Sequence, residues 1–250
     1  MPFGLFGRRS KAKRASTPEG TVVYAVGDVH GYLNLLQRVE AQIRSDMASR
    51  RAERTVVVYL GDYVDRGPAS KGVVEHLMTA PLPDCEIVHL SGNHEQWMLQ
   101  FLSDASVGRA WMRNGGQETL HSYGVSVSPG ADDAAMEAAQ AAFAKALPAS
   151  HRRFLEAMPL SHREGDYFFA HAGVRPGVPL EEQTPQCLTW IREEFLYSSA
   201  DFGAVVVHGH TPSHTPEEHP NRIAIDTGAF MSGILTAVVL DGERRLFMHS

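Results

Sequence analysis

A chain of 250 residues with 43% hydrophobic and 21% charged side chains can bury a full-sized core, which excludes a disordered or low-complexity protein. No apolar run approaches the ~20 residues of a membrane-spanning helix, and the two cysteines, Cys85 and Cys187, exclude a disulfide scaffold and a four-cysteine zinc site. The net charge is −6, yet Arg8, Arg9, Lys11, Lys13 and Arg14 crowd into 1–15 without an acid. The remainder is strongly acidic, which argues against a nucleic-acid-binding domain.

Residues 1–19 read as a basic flexible tail, either a solvated end or a weak attachment to anionic lipid or nucleic acid. They lack the apolar stretch of a secretory signal. Together with the two thiols this points to the cytoplasm and to no stable membrane insertion. One domain is expected over 20–250, without internal repeats. Short β-rich runs are predicted at 21–26, 55–60, 86–90, 167–170, 204–207, 222–226 and 235–240. Near-continuous apolar runs such as TVVVYL and AVVV suit strands buried on both faces. Helical spacing follows the first three runs, at 32–48, 70–79 and 94–102. The resulting β-α-β-α-β order predicts an α/β fold with parallel pairing. A mostly helical insert is predicted over about 104–158, including an alanine-rich helix at 131–147. The closely spaced later strands imply a second sheet of mixed direction.

The chemistry is written at the strand ends. TVVYAV runs into Gly27-Asp28-Val29-His30-Gly31, and TVVVYL into Gly61-Asp62-Tyr63-Val64-Asp65-Arg66-Gly67. EIVHLS runs into Gly92-Asn93-His94-Glu95, YFFA into His171-Ala172-Gly173, and AVVV into His208-Gly209-His210. Open α/β sheets bind ligands beyond the carboxyl ends of their strands, and glycine lets the backbone approach a ligand closely. On an extended backbone, Asp28 and His30 project to one side and can share an ion. Asp62 has two oxygens and can bridge two cations. Asp65, three residues on, is better placed to pair with a histidine. Asn93 offers a carbonyl oxygen or a helix N-cap, and His94 then lies at the positive end of that helix, where phosphate is favoured. His171 and His210 offer neutral nitrogens. His208 fits either a group behind the metal ligands or core packing. His89 reads as core, and His76, His121, His151 and His249 as surface or packing. Carboxylate, imidazole and amide donors together suit manganese, iron or zinc better than calcium or magnesium. Trp111, Arg113 and Asn114, next to Gly115-Gly116, fit either the edge of the pocket or packing.

The ordered set GDVHG, GDYVDRG, GNHE, HAG and HGH resembles the calcineurin-like metallophosphoesterases over about residues 21–240. Within them it is most similar to the phosphoprotein phosphatase branch in its bacterial and phage serine/threonine form. The resemblance implies a four-layer αββα sandwich and two divalent ions per chain, manganese first, with iron or zinc as alternatives. Asp28, His30 and Asp62 would hold the first ion; Asp62, Asn93, His171 and His210 would hold the second. His94 would be the general acid, oriented by Asp65, while Arg66, Arg192 and Asn93 would bind the phosphate. The implied reaction is hydrolysis of a phosphate monoester by direct attack of hydroxide on phosphorus. The implied substrate is a phosphoprotein or phosphopeptide, with serine/threonine or dual specificity, acted on by a monomer.

Many phosphodiesterases of this family carry a further ligand histidine where this chain has Pro212, which points away from them. Diadenosine tetraphosphatases share the departure and form the main alternative. They usually lack the aspartate at Asp65 and read GNHD, so Asp65 and Glu95 favour the protein phosphatase. A metal-free binding scaffold is disfavoured, because no implied ligand is replaced by an apolar residue.

Overall fold

Two runs of β-branched residues without a polar face, TVVYAV and RTVVVY, form the central strands of the first sheet. The computed structural model describes residues 14–79, 82–128 and 130–250. In chain order come β1 (Thr21–Val26), α1 (Leu33–Ser49), β2 (Arg54–Tyr59), α2 (Ser70–Met78), β3 (Glu86–His89) and α3 (Asn93–Phe101). Two helices of the insert follow, α4 (Asp133–Ala146) and α5 (Ala149–Glu156). The second half holds β4 (Ser161–Glu164), β5 (Tyr167–Ala170), α6 (Pro185–Trp190), β6 (Val205–His208), β7 (Glu217–Glu218), β8 (Arg222–Ala224), β9 (Thr236–Asp241) and β10 (Arg244–His249).

The strands form two five-stranded sheets, ordered β10-β9-β1-β2-β3 and β4-β5-β6-β8-β7. In each, a parallel trio (β1-β2-β3 and β5-β6-β8) is flanked by antiparallel strands. The period-2 alternation of a strand sorts its side chains between two cores. Val23 and Ala25 of β1, with Val56 and Val58 of β2, face Tyr167, Phe169, Val205, Val207 and Ile223 of the other sheet. Val22, Tyr24 and Val26 face the helices, against Leu36, Val39 and Ile43 of α1. A third cluster, with Phe168, Val206, Leu188 and Phe195, covers the outer side of the second sheet. The α/β fold is therefore the expected αββα sandwich.

The described residues of the insert form helices joined by turns and irregular segments, without a strand. Its Trp111, Leu120 and Phe143 belong to the same core as β1 and α1, so it is part of this domain. β4, β7 and β10, which hydropathy did not predict, are antiparallel strands at sheet edges. Sequences such as SHRE and RRLFMH carry the charges that protect a sheet edge, which hides them from an apolar-run criterion.

The basic tail expected over 1–19 is described only in part. Residues 1–13 lie outside the described residues, whereas the stretch from Arg14 to Glu19 is tied to the sheets. Thr17 is buried, its amide donates to Gly242 O at 3.2 Å, and its Oγ1 donates to Thr21 O at 2.8 Å. The Ser16 amide donates to Asp166 Oδ2 at 3.1 Å. Among the described residues no helix is long and apolar enough to cross a membrane.

Candidate active site

The loops after β1, β2, β3, β5 and β6 converge, and backbone hydrogen bonds fix their spacing. The amides of Val29 and His30 donate to Asp62 O at 3.1 and 2.8 Å, and the His94 amide donates to Asp62 Oδ1 at 3.1 Å. The His210 amide donates to Asp28 Oδ2 at 3.0 Å, which joins the two sheets. Five of the six described non-glycine residues with positive φ lie here: His30, Asp62, Asp65, Arg66 and His210. Such conformations persist only where the surroundings over-determine them, and they concentrate at functional sites. His30, at φ 46°, is thus left-handed and not extended as the sequence suggested. The close approach also explains two glycines: a Cβ on Gly92 would enter Asp62 Oδ1, and one on Gly209 would enter Asp28 Oδ1.

Glu95 ties these loops together from below. Its buried carboxylate accepts from the amides of Tyr63 (2.7 Å) and Val64 (3.3 Å) on Oε1, and from those of Asp62 and Gly92 (both 2.9 Å) on Oε2. It thereby satisfies the amide of Gly92, which is the N-cap of α3. Asn93, expected as a possible cap, is instead the first residue of the helix, and its side chain turns to His171, with Oδ1 3.0 Å from Nε2. Burial and the nearby Asp62 push the Glu95 carboxyl up to about 7, against the pull of the Gly92 amide.

Among the described residues two groups of donors emerge, His30–Asp62–His94 and Asp62–His171–His210, with ligand atoms within 4.8 Å of one another in each. Asp62 belongs to both, as a bridging carboxylate requires. Its Oδ2 lies 3.6 Å from His30 Nε2 and 3.4 Å from His171 Nε2. The Nδ1 atoms of His30 and His171 face the carbonyls of Val64 and Leu60, both at 3.0 Å. A carbonyl can only accept, so Nδ1 carries a proton in both rings and Nε2 is the nitrogen directed inward. Asp28 Oδ1 and His210 Nε2 are buried without any partner.

The donor electrostatics fit cations. Burial pushes His30 down to about 3; burial and His171 push His210 down to about 2, leaving neutral imidazoles. Burial raises Asp28 well above the usual carboxylate range, and the like charge of Asp226 adds to this. Burial lowers His171, but Asp62 and Asp28 outweigh it and hold it up at about 9. Orphaned donors and crowded carboxylates of this kind are costly unless positive charge neutralises them. The residues present therefore fit two divalent ions.

Asp28 falls outside both donor groups; its Oδ2 accepts from the His210 amide and its Oδ1 is without a partner. His94, expected as an acid, is itself a member of the first group. Its Nδ1 meets Asp65 Oδ2 at 2.6 Å, while Nε2 lies 3.4 Å from Arg66 Nη2 and 3.8 Å from Asp62 Oδ2. Burial lowers the His94 pKa, but Asp62 and Asp65 outweigh it and leave it raised. Arg66 spans the centre, its Nη1 3.0 Å from His30 Nε2 and its guanidinium 4.1 Å from the Phe230 ring centroid. Arg192 precedes the short helix Glu193–Leu196, with Nη1 3.5 Å from Thr211 Oγ1, and its charge helps hold His210 down. His208 is buried behind the ligands, against Phe195, with Nδ1 at the Gly209 carbonyl. His89 stacks on Tyr59.

Sequence reasoning missed Asp226 and the surrounding aromatics. Asp226 is buried, with Oδ2 unpartnered. It sits in Ile225-Asp226-Thr227-Gly228, just past β8, with the glycine two residues on, as Gly173 follows His171. Phe230 packs edge-on to His30 at 5.5 Å; Trp97 does so to His94 at 5.5 Å, with Trp190 against Trp97 at 4.7 Å. No local motif announces such contacts.

The profile of the calcineurin-like phosphoesterases matches residues 21–230. Serine/threonine-protein phosphatase 1 of Salmonella typhimurium is 28% identical over 216 residues, covering 86% of this chain and 89% of that protein. The asymmetrical bis(5'-nucleosyl)-tetraphosphatase PrpE of Anoxybacillus flavithermus is 26% identical over 233 residues, covering 85% and 88%. Among solved structures, a putative diadenosine tetraphosphatase superposes with a TM-score of 0.63 at 20% identity, covering 94% of this chain and 98% of that one. The cold-active protein-tyrosine phosphatase of a Shewanella species gives 0.61 at 16% identity, covering 94% and 82%. Profile, fold and convergent donors agree: the chain belongs to the calcineurin-like phosphoesterase family and is a metal-dependent phosphatase.

Proposed function

We propose that the protein is a phosphomonoesterase of the serine/threonine protein phosphatase type, with tyrosyl phosphate as an additional substrate. The observation that carries this reading is the buried contact of 2.6 Å between His94 Nδ1 and Asp65 Oδ2. Seryl and threonyl oxygens leave as strongly basic alkoxides unless a proton reaches them, so a protonated imidazole at the leaving side lowers their barrier most. A nucleotide phosphate leaves readily without one.

Two divalent ions, manganese foremost, would when bound acidify a water and neutralise the phosphate charge. Asp28, His30 and Asp62 would hold one; Asp62, Asn93, His171 and His210 would hold the other. Asp65 keeps the His94 ring oriented and stabilises its charged form, leaving Nε2 to deliver the proton. The Arg66 fork, steadied by the face of Phe230, suits two phosphate oxygens. Arg192 and the Asn93 side chain border the same centre and complete the phosphate contacts. The free thiols, Cys85 half-buried and Cys187 buried, suit the reducing cytoplasm, where the protein would act on phosphopeptides as a monomer.

A second reading, hydrolysis of dinucleoside polyphosphates, is favoured by the partly exposed aromatic faces of Trp97, Trp190 and Phe230, on which a base could stack. The two readings separate in a side-by-side assay of kcat/KM on a serine phosphopeptide and on diadenosine tetraphosphate. The proposal expects the phosphopeptide to be the better substrate. Faster turnover of the dinucleotide would replace it with the second reading.

A further inference from the structure

Asp65 is more tightly held than its role as partner to one histidine requires. It is fully buried, and its carboxylate meets three donors from separate parts of the chain. Oδ2 accepts from His94 Nδ1 at 2.6 Å and from Trp111 Nε1 at 2.7 Å, and Oδ1 accepts from Thr119 Oγ1 at 2.6 Å. A hydroxyl has one proton. The Thr119 proton is committed to Asp65, so Ser70 Oγ donates across the 3.0 Å gap to Thr119. The Asp65 amide donates to Thr119 Oγ1 at 2.8 Å and to Ser70 Oγ at 3.0 Å. Backbone and carboxylate of one left-handed residue, φ 74°, are thus both fixed by the insert.

The insert's local geometry serves this contact. Residues Met112–Gly116 form a π-helical turn with a kink at Gly115, whose φ is 102°. Such turns are rare and gather at functional sites. This one brings Trp111 and Thr119, eight positions apart, onto the same carboxylate, and sends the Gly115 carbonyl to the Arg66 amide at 3.1 Å. The indole is itself anchored, with Phe101 at 5.1 Å and Phe143 at 5.9 Å between ring centroids. Gly116 has no Cβ because the Trp111 ring fills that space.

We propose that Trp111 and Thr119 are positioning residues for proton delivery: they lock the Asp65 carboxylate so that Oδ2 faces His94 Nδ1 and the His94 ring stays aimed at the departing oxygen. This gives the helical insert a role in turnover beyond packing. It rests on the phosphomonoesterase reading for its consequence, but not for its geometry.

The test uses Trp111→Phe, which keeps a buried ring and deletes the N–H, and Thr119→Val, which keeps the shape and deletes the hydroxyl; Thr119→Ser is the rescue. The first readout is the downfield proton resonance of His94 Nδ1–H in metal-free protein, identified by its loss in Asp65→Asn. Trp111→Phe and Thr119→Val should move or broaden it, and Thr119→Ser should restore it. The second is turnover by the metal-loaded variants. The kcat on a serine phosphopeptide should fall about tenfold, while that on p-nitrophenyl phosphate, whose leaving group needs no proton, should fall less than about twofold. An unchanged resonance in both folded variants overturns the proposal, as does an equal loss on both substrates. Should the parent protein hydrolyse no phosphopeptide, the function reading fails, and the resonance alone decides the clamp.

Discussion

Replacing Glu95 by glutamine tests the hidden support of the site. The carboxylate holds four backbone amides from two loops, on Tyr63, Val64, Asp62 and Gly92. A glutamine keeps one acceptor oxygen and turns its NH₂ towards two of those donors. If the oxygen stays with Asp62 and Gly92, the amides of Tyr63 and Val64 lose their acceptor in a site without water access. Hydrogen bonds to charged groups contribute about 1.5–3 kcal/mol each, so two losses cost about 3–6 kcal/mol. Relief of the repulsion between Glu95 and Asp62 offsets part of that, leaving about 3 kcal/mol. For a domain of this length each kcal/mol lowers Tm by about 2–4 °C, so the melting temperature should fall by about 6–12 °C. Circular dichroism melts of both proteins in a chelator, at a pH above the Glu95 value of about 7 so that its carboxylate is ionised, measure this without interference from metal. A glutamine variant melting within about 2 °C of the parent would refute the clamp.

Asp62→Asn should lose bound metal as well as rate, since Asp62 joins both donor groups; elemental analysis showing a full complement would refute the bridging role. His94→Asn should reduce turnover of a serine phosphopeptide by about 10²-fold or more, with a far smaller effect on p-nitrophenyl phosphate. Equal losses would remove His94 as the acid. His89 supplies a pH signature, because burial pushes it down to about 4 from an ordinary 6.5. A folded-state pKa below the unfolded one means that the unfolded chain takes up the proton first, so this stability is present at pH 7 and is lost as pH falls through 6.5 towards 4. Between pH 7 and pH 5 the loss is about 2 kcal/mol. His89→Phe should remove that share of the pH dependence in urea titrations of the metal-free protein, and a parallel pH profile in the variant would contradict it.

The legible parts of this fold are those where burial leaves a one-dimensional trace. β1 and β2 are apolar on both alternations because a core lies on each side of their sheet. β4 and β10 lie at edges, where solvent permits charge, and they read as loops. The site followed the same logic. Asp28, Asp62, Asn93 and His210 each stand beside a glycine at a strand end, and His171 two residues before one, because ligand and backbone must crowd together there. Asp226 has its glycine two residues on, at Gly228, and no histidine or asparagine accompanies it to lift the signal above an ordinary turn. The bonds from Trp111 and Thr119 to Asp65 span 46 and 54 positions and depend on a π-helical turn. Nothing in a local pattern distinguishes that indole from a packing residue.

The most direct measurement is a crystal structure grown with manganese, with anomalous scattering used to locate the ions. The geometry predicts two peaks per chain about 3.5–4 Å apart, one bounded by Asp28, His30 and Asp62 and the other by Asp62, Asn93, His171 and His210. A single peak, or peaks away from Asp62, would contradict the binuclear centre on which the catalytic reading stands.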